Sequence, residues 1–240
     1  MITVPDAGQI MLYQAHHERA RALPDYLRGS HMSEGLAGEW NAAPKEIAEY
    51  YNTWATSGEY DDDVAGWGYE APERVAAMAA EHLQLHPGSV LDAGCGTGRA
   101  GATMRAAGID DLVGGDFNVA SVDAARSRGV YRSVDHLDLN DRLNFDDDQF
   151  AVVVSVGVFS YLTDTAATVR ELLRITKQGG AIIFTQRTDL WDERECDALI
   201  ALLAAEGACS ATTSDHQPYL PLHPEFGAEI GIIYTTLIAN

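Results

Sequence analysis

One uninterrupted apolar run limits the folds open to this chain more than any other feature. Residues 151–156 read Ala-Val-Val-Val-Ser-Val, so β-branched side chains dominate the run. This pattern is typical of a strand buried on both faces, as in a parallel sheet covered by helices on each side. Shorter apolar runs and helical patterns alternate around it from residue 70 to residue 240. The sequence therefore predicts a doubly wound, mostly parallel α/β sheet.

The alternation predicts individual elements. Apolar runs mark strands at residues 89–92, 111–116, 131–137, 151–156, 181–186, 208–213 and 229–238. Helical spacing marks helices at residues 120–128, 165–176 and 192–205, and an earlier helix whose first turn holds Pro72. We expect the sheet core to occupy residues 86–240 and an N-terminal helical cap to occupy residues 33–85.

The first residues have two interpretations. Residues 29–32 read Gly-Ser-His-Met, which is typical of the scar of a cleaved expression tag. Residues 1–32 are therefore expected to be a fused or tag-derived segment, and the alternative is a natural N-terminal arm. The cap that follows is rich in acidic and aromatic residues. It fits either a cover over a cationic ligand or amphipathic helices on one face of the sheet.

Charge and cysteine content argue against several functions. Thirty-six Asp and Glu against sixteen Lys and Arg give a net charge of −20, which repels nucleic acid and anionic membrane surfaces. The sequence shows no apolar stretch of the length that spans a membrane. The three cysteines show neither a disulfide framework nor metal-ligand spacing. We therefore expect a cytoplasmic protein without a metal site, a nucleic-acid partner or a membrane partner.

A glycine-rich turn follows the first predicted strand. Residues 92–98 read Asp-Ala-Gly-Cys-Gly-Thr-Gly, and such turns let the backbone approach a nucleotide at the carboxyl ends of the strands. Residues 96–101 also satisfy G-x-G-x-x-G, the fingerprint of dinucleotide sites. Asp92 distinguishes a dinucleotide from a cationic ligand, because an acid there would repel a pyrophosphate and attract an ammonium group. S-adenosylmethionine carries an ammonium and a sulfonium, and it has no phosphate.

Two further acids follow predicted strands. Asp116 ends the second strand, where a carboxylate can accept both ribose hydroxyls of a nucleotide. Nicotinamide enzymes share that placement, so Asp116 alone does not identify the ligand. Asp138 follows the third strand and could accept the amino group of adenine. The alternative for Asp138 is a solvated acid in an acidic loop.

These motifs together resemble those of class I S-adenosylmethionine-dependent methyltransferases. The resemblance lies in residues 90–98, Gly115-Asp116, Asp138-Leu139 and the turn at residues 177–180. Residues 50–55, 171–177 and 231–234 are similar, more narrowly, to the Williams–Beuren-region methyltransferase-like group. The resemblance implies a Rossmann-like methyltransferase fold of seven strands, the last antiparallel, with the donor across the strand ends. Gln178 departs from the family, which commonly has proline there, and this affects only the shape of the turn.

The resemblance also implies which residues bind the donor. Asp92 and the turn glycines would surround its methionine portion, and Asp116 would hold its ribose. Tyr51 and Trp54 match the cap motif that closes over the donor. The complete set is Tyr51, Trp54, Asp92, Gly94, Gly96, Gly98, Asp116, Phe117, Asn118, Asp138, Leu139, Val156 and Gly157.

The implied function is methyl transfer from S-adenosylmethionine to a small-molecule acceptor, with S-adenosylhomocysteine as the product. The reaction is an in-line displacement, so positioning supplies much of the rate, and a protonated acceptor also needs a base. His216 is the first candidate for that base, and the alternative is a structural histidine. Tyr161 and Arg187 follow the fourth and fifth strands at the same edge. Arg187 could pair with an anionic acceptor, or only bridge to Asp189 or Asp192.

Two other functions fit parts of the pattern. An NAD(P)-dependent oxidoreductase would use the glycine turn and Asp116, but the chain has no Tyr-x-x-x-Lys pair for hydride chemistry. A non-catalytic binding module would keep the cleft without turnover. The sequence determines neither the acceptor nor the oligomeric state, and a peptide acceptor stays open.

Overall fold

The apolar run at residues 151–156 lies at the centre of the sheet. In the computed structural model, strand β4 (Phe150–Ser155) is buried at every position. It pairs in parallel with β1 (Val90–Ala93) on one side and with β5 (Thr176–Arg187) on the other. This central position explains why its sequence shows no alternation of apolar and polar residues. The structure describes residues 64–223 and 229–240, which all belong to one compact unit.

Helices and strands alternate along the described residues. The helices are α1 (Ala71–Leu85), α2 (Arg99–Ala106), α3 (Val119–Arg128), α4 (Thr165–Ile175), α5 (Thr188–Trp191) and α6 (Cys196–Ala205). The remaining strands are β2 (Leu112–Asp116), β3 (Ser133–His136), β6 (Cys209–Thr213), β7 (Gln217–Pro218) and β8 (Gly231–Ala239). A short 3-10 helix (Phe159–Tyr161) follows β4.

The strands form one sheet in the order β3-β2-β1-β4-β5-β8-β6, and β7 also pairs with β8. Neighbours from β3 to β5 are parallel, whereas β8 runs antiparallel to β5 and β6. The two-residue β7 extends the β6 side of β8. The doubly wound, mostly parallel α/β fold is therefore confirmed, with seven full strands among the described residues and an antiparallel last strand.

The strand order reverses beside β1. The chain passes from β1 through β2 to β3 on one side, and then crosses to β4 and β5 on the other. Such a switch point opens a crevice at the carboxyl ends of the strands, and open α/β sheets bind their ligands there. The glycine turn after β1 and the residues after β4 both lie at this edge.

Helices cover the sheet. α1 packs against β4, β5 and α2, while α3 packs against β2 and β3. Val75 and Ala79 of α1 are completely buried. The predicted segment 1–32 and most of the predicted cap lie outside the described residues. Among the helices that the structure describes, none has the length and apolar character needed to cross a membrane.

The helix predicted at residues 192–205 begins later than expected, at Cys196, and runs to Ala205. A break separates α5 from α6, and Glu195 in the break has a left-handed φ of 49°. The guanidinium of Arg194 donates to the carbonyl oxygens of Ser160 and Leu162 at 2.8 and 2.5 Å. The predicted helix is therefore present as α6 without its first turn, because these contacts hold the preceding residues against the segment after β4.

Strand β5 begins at Thr176, before the predicted start at residue 181, and its register with β4 shifts near that start. A Cβ atom on Gly180 would lie 2.8 Å from the carbonyl oxygen of Ala151, so the two backbones approach closely here. Gln178 lies at this shift, between the paired positions Thr176 and Ala181 of β5.

Candidate cofactor site

The glycine turn after β1 uses its own backbone donors. The N–H groups of Gly94 and Cys95 both donate to the carbonyl oxygen of Gly115, at 2.8 and 2.9 Å. The N–H group of Gly96 donates to Oδ2 of Asp116 at 2.8 Å. A bound phosphate needs donors of this kind. Because these three are already engaged within the protein, the turn is poorly suited to a pyrophosphate.

Asp116 ends β2 as a buried carboxylate held by the backbone. Its Oδ2 accepts the N–H of Gly96, and its Oδ1 accepts the N–H of Asn118 at 2.9 Å. Burial raises the pKa of Asp116, while these two hydrogen bonds and the nearby His136 oppose the rise. A carboxylate oxygen can accept more than one hydrogen bond, so Asp116 retains capacity for the hydroxyl groups of a ligand.

Asp92 in β1 is completely buried. Its Oδ2 accepts a hydrogen bond of 2.7 Å from the hydroxyl of Tyr131, whereas its Oδ1 has no hydrogen-bond partner among the described residues. Burial raises the pKa of Asp92 to about 7; repulsion by Asp116 adds to the rise, and the bond from Tyr131 opposes it. A buried oxygen without a donor is costly. A cationic N–H donor would satisfy this oxygen.

Tyr131, between α3 and β3, fills a socket made by three glycines. A Cβ atom on Gly101, Gly114 or Gly98 would lie 2.1, 3.0 or 3.2 Å from the tyrosine side chain. We call these three residues the glycine socket. The last glycine of G-x-G-x-x-G thus makes room for a tyrosine of the same chain. The sequence alone did not predict a role for Tyr131, because its contacts with these glycines arise from the fold and leave no local sequence motif.

Replacing Gly101 with alanine is expected to destabilise the protein by about 1–3 kcal/mol, the usual cost of overpacking a filled site. The new methyl group would overlap the ring of Tyr131, which the rest of the socket prevents from moving aside. Urea unfolding would measure the loss. Gly66→Ala is the matched control, because no described atom lies within 4 Å of a Cβ there. Equal stability of the two variants would contradict the close packing.

Further predicted nucleotide contacts lie beyond the ends of β2 and β3. Phe117 is 37% exposed, while Asn118 is buried. The side chain of Asn118 accepts a backbone hydrogen bond as the N-cap of α3, which gives it a structural role. Oδ1 of Asp138 accepts the backbone and side-chain N–H groups of Asn140 at 2.9 and 3.0 Å. Leu139 is buried beside it.

Val156 and Gly157 follow β4 at the same edge of the sheet. The N–H of Gly157 donates to Oγ1 of Thr185 at 2.8 Å, and its φ of 74° favours glycine. A Cβ atom on Gly157 would lie 3.2 Å from the hydroxyl of Tyr69. Tyr69, from the segment before α1, therefore reaches the carboxyl end of β4.

Aromatic contacts connect the ends of β4 and β5. The ring of Tyr69 meets that of Tyr219 edge-on at 5.5 Å, and the guanidinium of Arg187 lies over the ring of Tyr219 at 5.5 Å. Two residues close to these tyrosines in the sequence, Trp67 and His223, also pair, with their rings edge-on at 4.5 Å. We call Tyr69, Tyr219 and Arg187 the aromatic wall. Its two tyrosines were not predicted, because they are distant from each other in the sequence.

Arg187 and His216 lie at the same end of the sheet. Nε and Nη2 of Arg187 donate to the two carboxylate oxygens of Asp189 at 2.9 and 2.6 Å. The bridge to Asp189 that the sequence left open is therefore present. His216 is exposed between β6 and β7. The adjacent Gln217 and Arg187 pair with Ile232 from opposite sides, so the two candidates are separated by strand β8.

The third catalytic candidate, Tyr161, is half-buried at the end of the 3-10 helix after β4. Buried Gln186 supports this helix by accepting the hydroxyl of Ser160 at 2.9 Å. A single glutamine at a strand end gives no sequence signal, and Gln186 was not predicted. Tyr51 and Trp54, the predicted cap contacts, lie outside the described residues. Within residues 64–223 and 229–240, no group of three or more His, Cys, Asp or Glu could hold a metal ion.

A sheet in this order, with acids at the ends of its first two strands around a glycine turn, defines a Rossmann-like nucleotide-cofactor domain. The family model described as "Methyltransferase domain" matches residues 91–184. Methyltransferase-like protein 27 of Homo sapiens is 32% identical over 157 residues, which are 64% of this chain and 63% of that protein. A demethylmenaquinone methyltransferase of Mycolicibacterium paratuberculosis is 30% identical over 147 residues, or 60% of this chain and 61% of that protein.

Among solved structures, geranyl diphosphate C-methyltransferase from Streptomyces coelicolor shares the fold. Its TM-score is 0.51 at 16% identity, and the alignment covers 68% of this chain and 76% of that one. The chain spans less than two thirds of the length of the two relatives named above, at 63% and 61%. The family model therefore identifies a methyltransferase domain at residues 91–184, and the shared fold agrees with that match.

Proposed function

We propose that this chain transfers the methyl group of S-adenosylmethionine to a small-molecule acceptor and releases S-adenosylhomocysteine. The observation that carries the proposal is the pair of buried carboxylates, Asp92 and Asp116, beside a glycine turn whose N–H donors are engaged. Two negative groups at this place favour a cation and oppose a pyrophosphate. The proposed donor offers a cationic ammonium and a ribose without any phosphate.

The two acids bind different parts of the donor. Asp92 would accept the ammonium of the methionine portion at its unpartnered Oδ1. Asp116 would accept the ribose hydroxyls, and its two backbone hydrogen bonds keep the carboxylate in place before the ligand arrives. The exposed Phe117 would cover adenine, and Asp138 would accept a hydrogen bond from the amino group of adenine.

When bound, the donor supplies a methyl group on a positively charged sulfur, which a nucleophile displaces in line. The protein's part is to hold the acceptor behind that methyl group. Well-oriented reactants reach effective molarities of ~10⁵–10⁸ M, which lower the barrier by about 7–11 kcal/mol. Tyr69 and Tyr219 of the aromatic wall would form one side of the acceptor site, next to Gly157. His216 would remove a proton from an acceptor that carries one, with Tyr161 and Arg187 lining the site.

The chemistry of the wall supports a small, partly apolar acceptor. Because Asp189 neutralises Arg187, the wall offers aromatic faces instead of a net positive charge. The net charge of −20 opposes phosphate-rich polymers, and one relative is named for the acceptor demethylmenaquinone. We also propose a cytoplasmic location, supported by three buried cysteines without disulfides, Cys95, Cys196 and Cys209.

Calorimetry of the full chain with S-adenosylhomocysteine and with NADH tests the cofactor. We expect heat with the first and none with the second. Heat with NADH alone would favour the oxidoreductase, the second function that fits the glycine turn.

Incubation with methyl-labelled S-adenosylmethionine and a metabolite extract tests the transfer. We expect label in a small molecule. Label in protein would identify a peptide acceptor, and donor binding without transfer to any fraction would indicate a non-catalytic module. The extract incubated without the chain is the control.

A further inference from the structure

Tyr131 contacts Asp92, but the proposed function described above does not assign a role to this tyrosine. Its hydroxyl donates to Oδ2 of Asp92 at 2.7 Å, and the other oxygen of that carboxylate has no partner among the described residues. Burial and the neighbouring Asp92 raise the pKa of Tyr131 above its usual range. The phenol therefore stays protonated and acts toward Asp92 only as a hydrogen-bond donor.

The glycine socket fixes the position of this donor. Gly98, Gly101 and Gly114 come from the glycine turn, α2 and β2, and side chains at these positions would press on the tyrosine within 2.1–3.2 Å. A ring enclosed from three elements cannot swing away from Asp92 without moving the backbone. A phenylalanine would fill the same socket, so packing alone does not require a hydroxyl there.

We propose that Tyr131 is a positioning residue for the methyl donor: its hydroxyl holds Asp92 ionised and fixed, and leaves Oδ1 of Asp92 for the ammonium of the donor. This inference rests on the proposed function, because it assumes that an ammonium is the ligand of Asp92. It adds a residue that makes no direct contact with the donor.

The charges around Asp92 explain why a donor is needed there. The titratable groups that face Asp92 from the described residues are Tyr131, the thiol of Cys95 and the carboxylate of Asp116. Burial raises the pKa of Asp116, and His136 opposes that rise. Burial and Asp116 both favour the protonated form of Asp92, and the hydroxyl of Tyr131 opposes them. Without the hydroxyl, Asp92 would stay protonated and neutral up to a higher pH, and it would therefore bind an ammonium less well.

Tyr131→Phe tests the inference by calorimetry between about pH 6 and about pH 9, on either side of the pKa of Asp92. The probes are S-adenosylhomocysteine, which carries the ammonium, and 5′-methylthioadenosine, which lacks the amino-acid portion. Near pH 7 we expect S-adenosylhomocysteine to bind ~10-fold more weakly to the variant, the lower end for a hydrogen bond to a charged group. The difference should shrink toward about 2-fold near pH 9, where Asp92 ionises without help. Binding of 5′-methylthioadenosine should not change.

Tyr234→Phe is the matched control, because it removes a hydroxyl from another buried tyrosine, on β8. It should bind both ligands like the unaltered chain. A loss in Tyr131→Phe that is equal at every pH, or equal for both ligands, would mean a purely structural tyrosine and would overturn the inference. So would unchanged affinity for S-adenosylhomocysteine throughout. Failure of the unaltered chain to bind S-adenosylhomocysteine would instead refute the proposed function.

Discussion

Replacing Asp116 with alanine is expected to weaken the binding of both S-adenosylhomocysteine and 5′-methylthioadenosine by about 100-fold or more. The variant loses two hydrogen bonds that the ribose hydroxyls would donate to a charged acceptor, each contributing about 1.5–3 kcal/mol. It also leaves the N–H groups of Gly96 and Asn118 without their acceptor. Calorimetry with each ligand gives the affinities, and both ligands should be affected because both contain the ribose.

Two companion variants make this result interpretable. Asp116→Asn keeps the size of the side chain and one acceptor oxygen, so it should fold even if the alanine variant does not, and should still bind at least ~10-fold more weakly. Asp111→Asn removes an exposed acid just before the first residue of β2, at the opposite end of the strand from Asp116, and should leave binding unchanged. If Asp116→Asn bound both ligands with unchanged affinity, Asp116 would not be part of the donor site.

Replacing Asp92 with asparagine is expected to separate stability from binding. The pKa of Asp92 is raised to about 7 in the folded protein, so the folded protein favours the protonated carboxyl. The stability that this preference contributes is fully present below the pKa that Asp92 has in the unfolded chain. That contribution is lost as the pH rises through about 7. Near pH 8 the ligand-free variant should therefore be more stable by about 1–3 kcal/mol, since the amide group avoids the buried charge but leaves one polar atom without a partner. Near pH 5 the advantage should disappear.

Binding should change in the opposite direction. Asp92→Asn should bind S-adenosylhomocysteine about 100-fold more weakly, because the buried partner of the ammonium is gone. Its affinity for 5′-methylthioadenosine should be unchanged, which distinguishes it from Asp116→Ala. Thermal unfolding at both pH values and calorimetry supply the measurements, with the exposed Asp135→Asn as the control. A variant that is less stable near pH 8, or that keeps its affinity for S-adenosylhomocysteine, would contradict the assignment.

Local patterns predicted the framework because the relevant signals lie within short segments. The apolar run at 151–156 could only be satisfied in the middle of a covered sheet, and β4 lies there. The acids that end β1 and β2 were identified from their positions after apolar strands. The burial of these acids and the hydrogen bonds made by the N–H groups of the turn were not predicted, because both depend on how β1 and β2 pair.

The residues that sequence reasoning missed are brought together by tertiary packing. Tyr131 reaches Asp92 across the space left by glycines of other elements, and Tyr69 reaches Tyr219 from the opposite part of the chain. Arg194 lies before the start of α6 although the sequence pattern includes it in that helix, because its partners are the carbonyl groups after β4. None of these pairings leaves a periodicity or a spacing in the sequence.

The engaged backbone donors of the glycine turn also set a limit on redesign. Neutralising Asp92 would remove one repulsive charge, yet the N–H groups of Gly94, Cys95 and Gly96 would still point at Gly115 and Asp116. Converting this domain to use a dinucleotide would require the loop to be rebuilt relative to β2, so no single exchange of a side chain can change its cofactor.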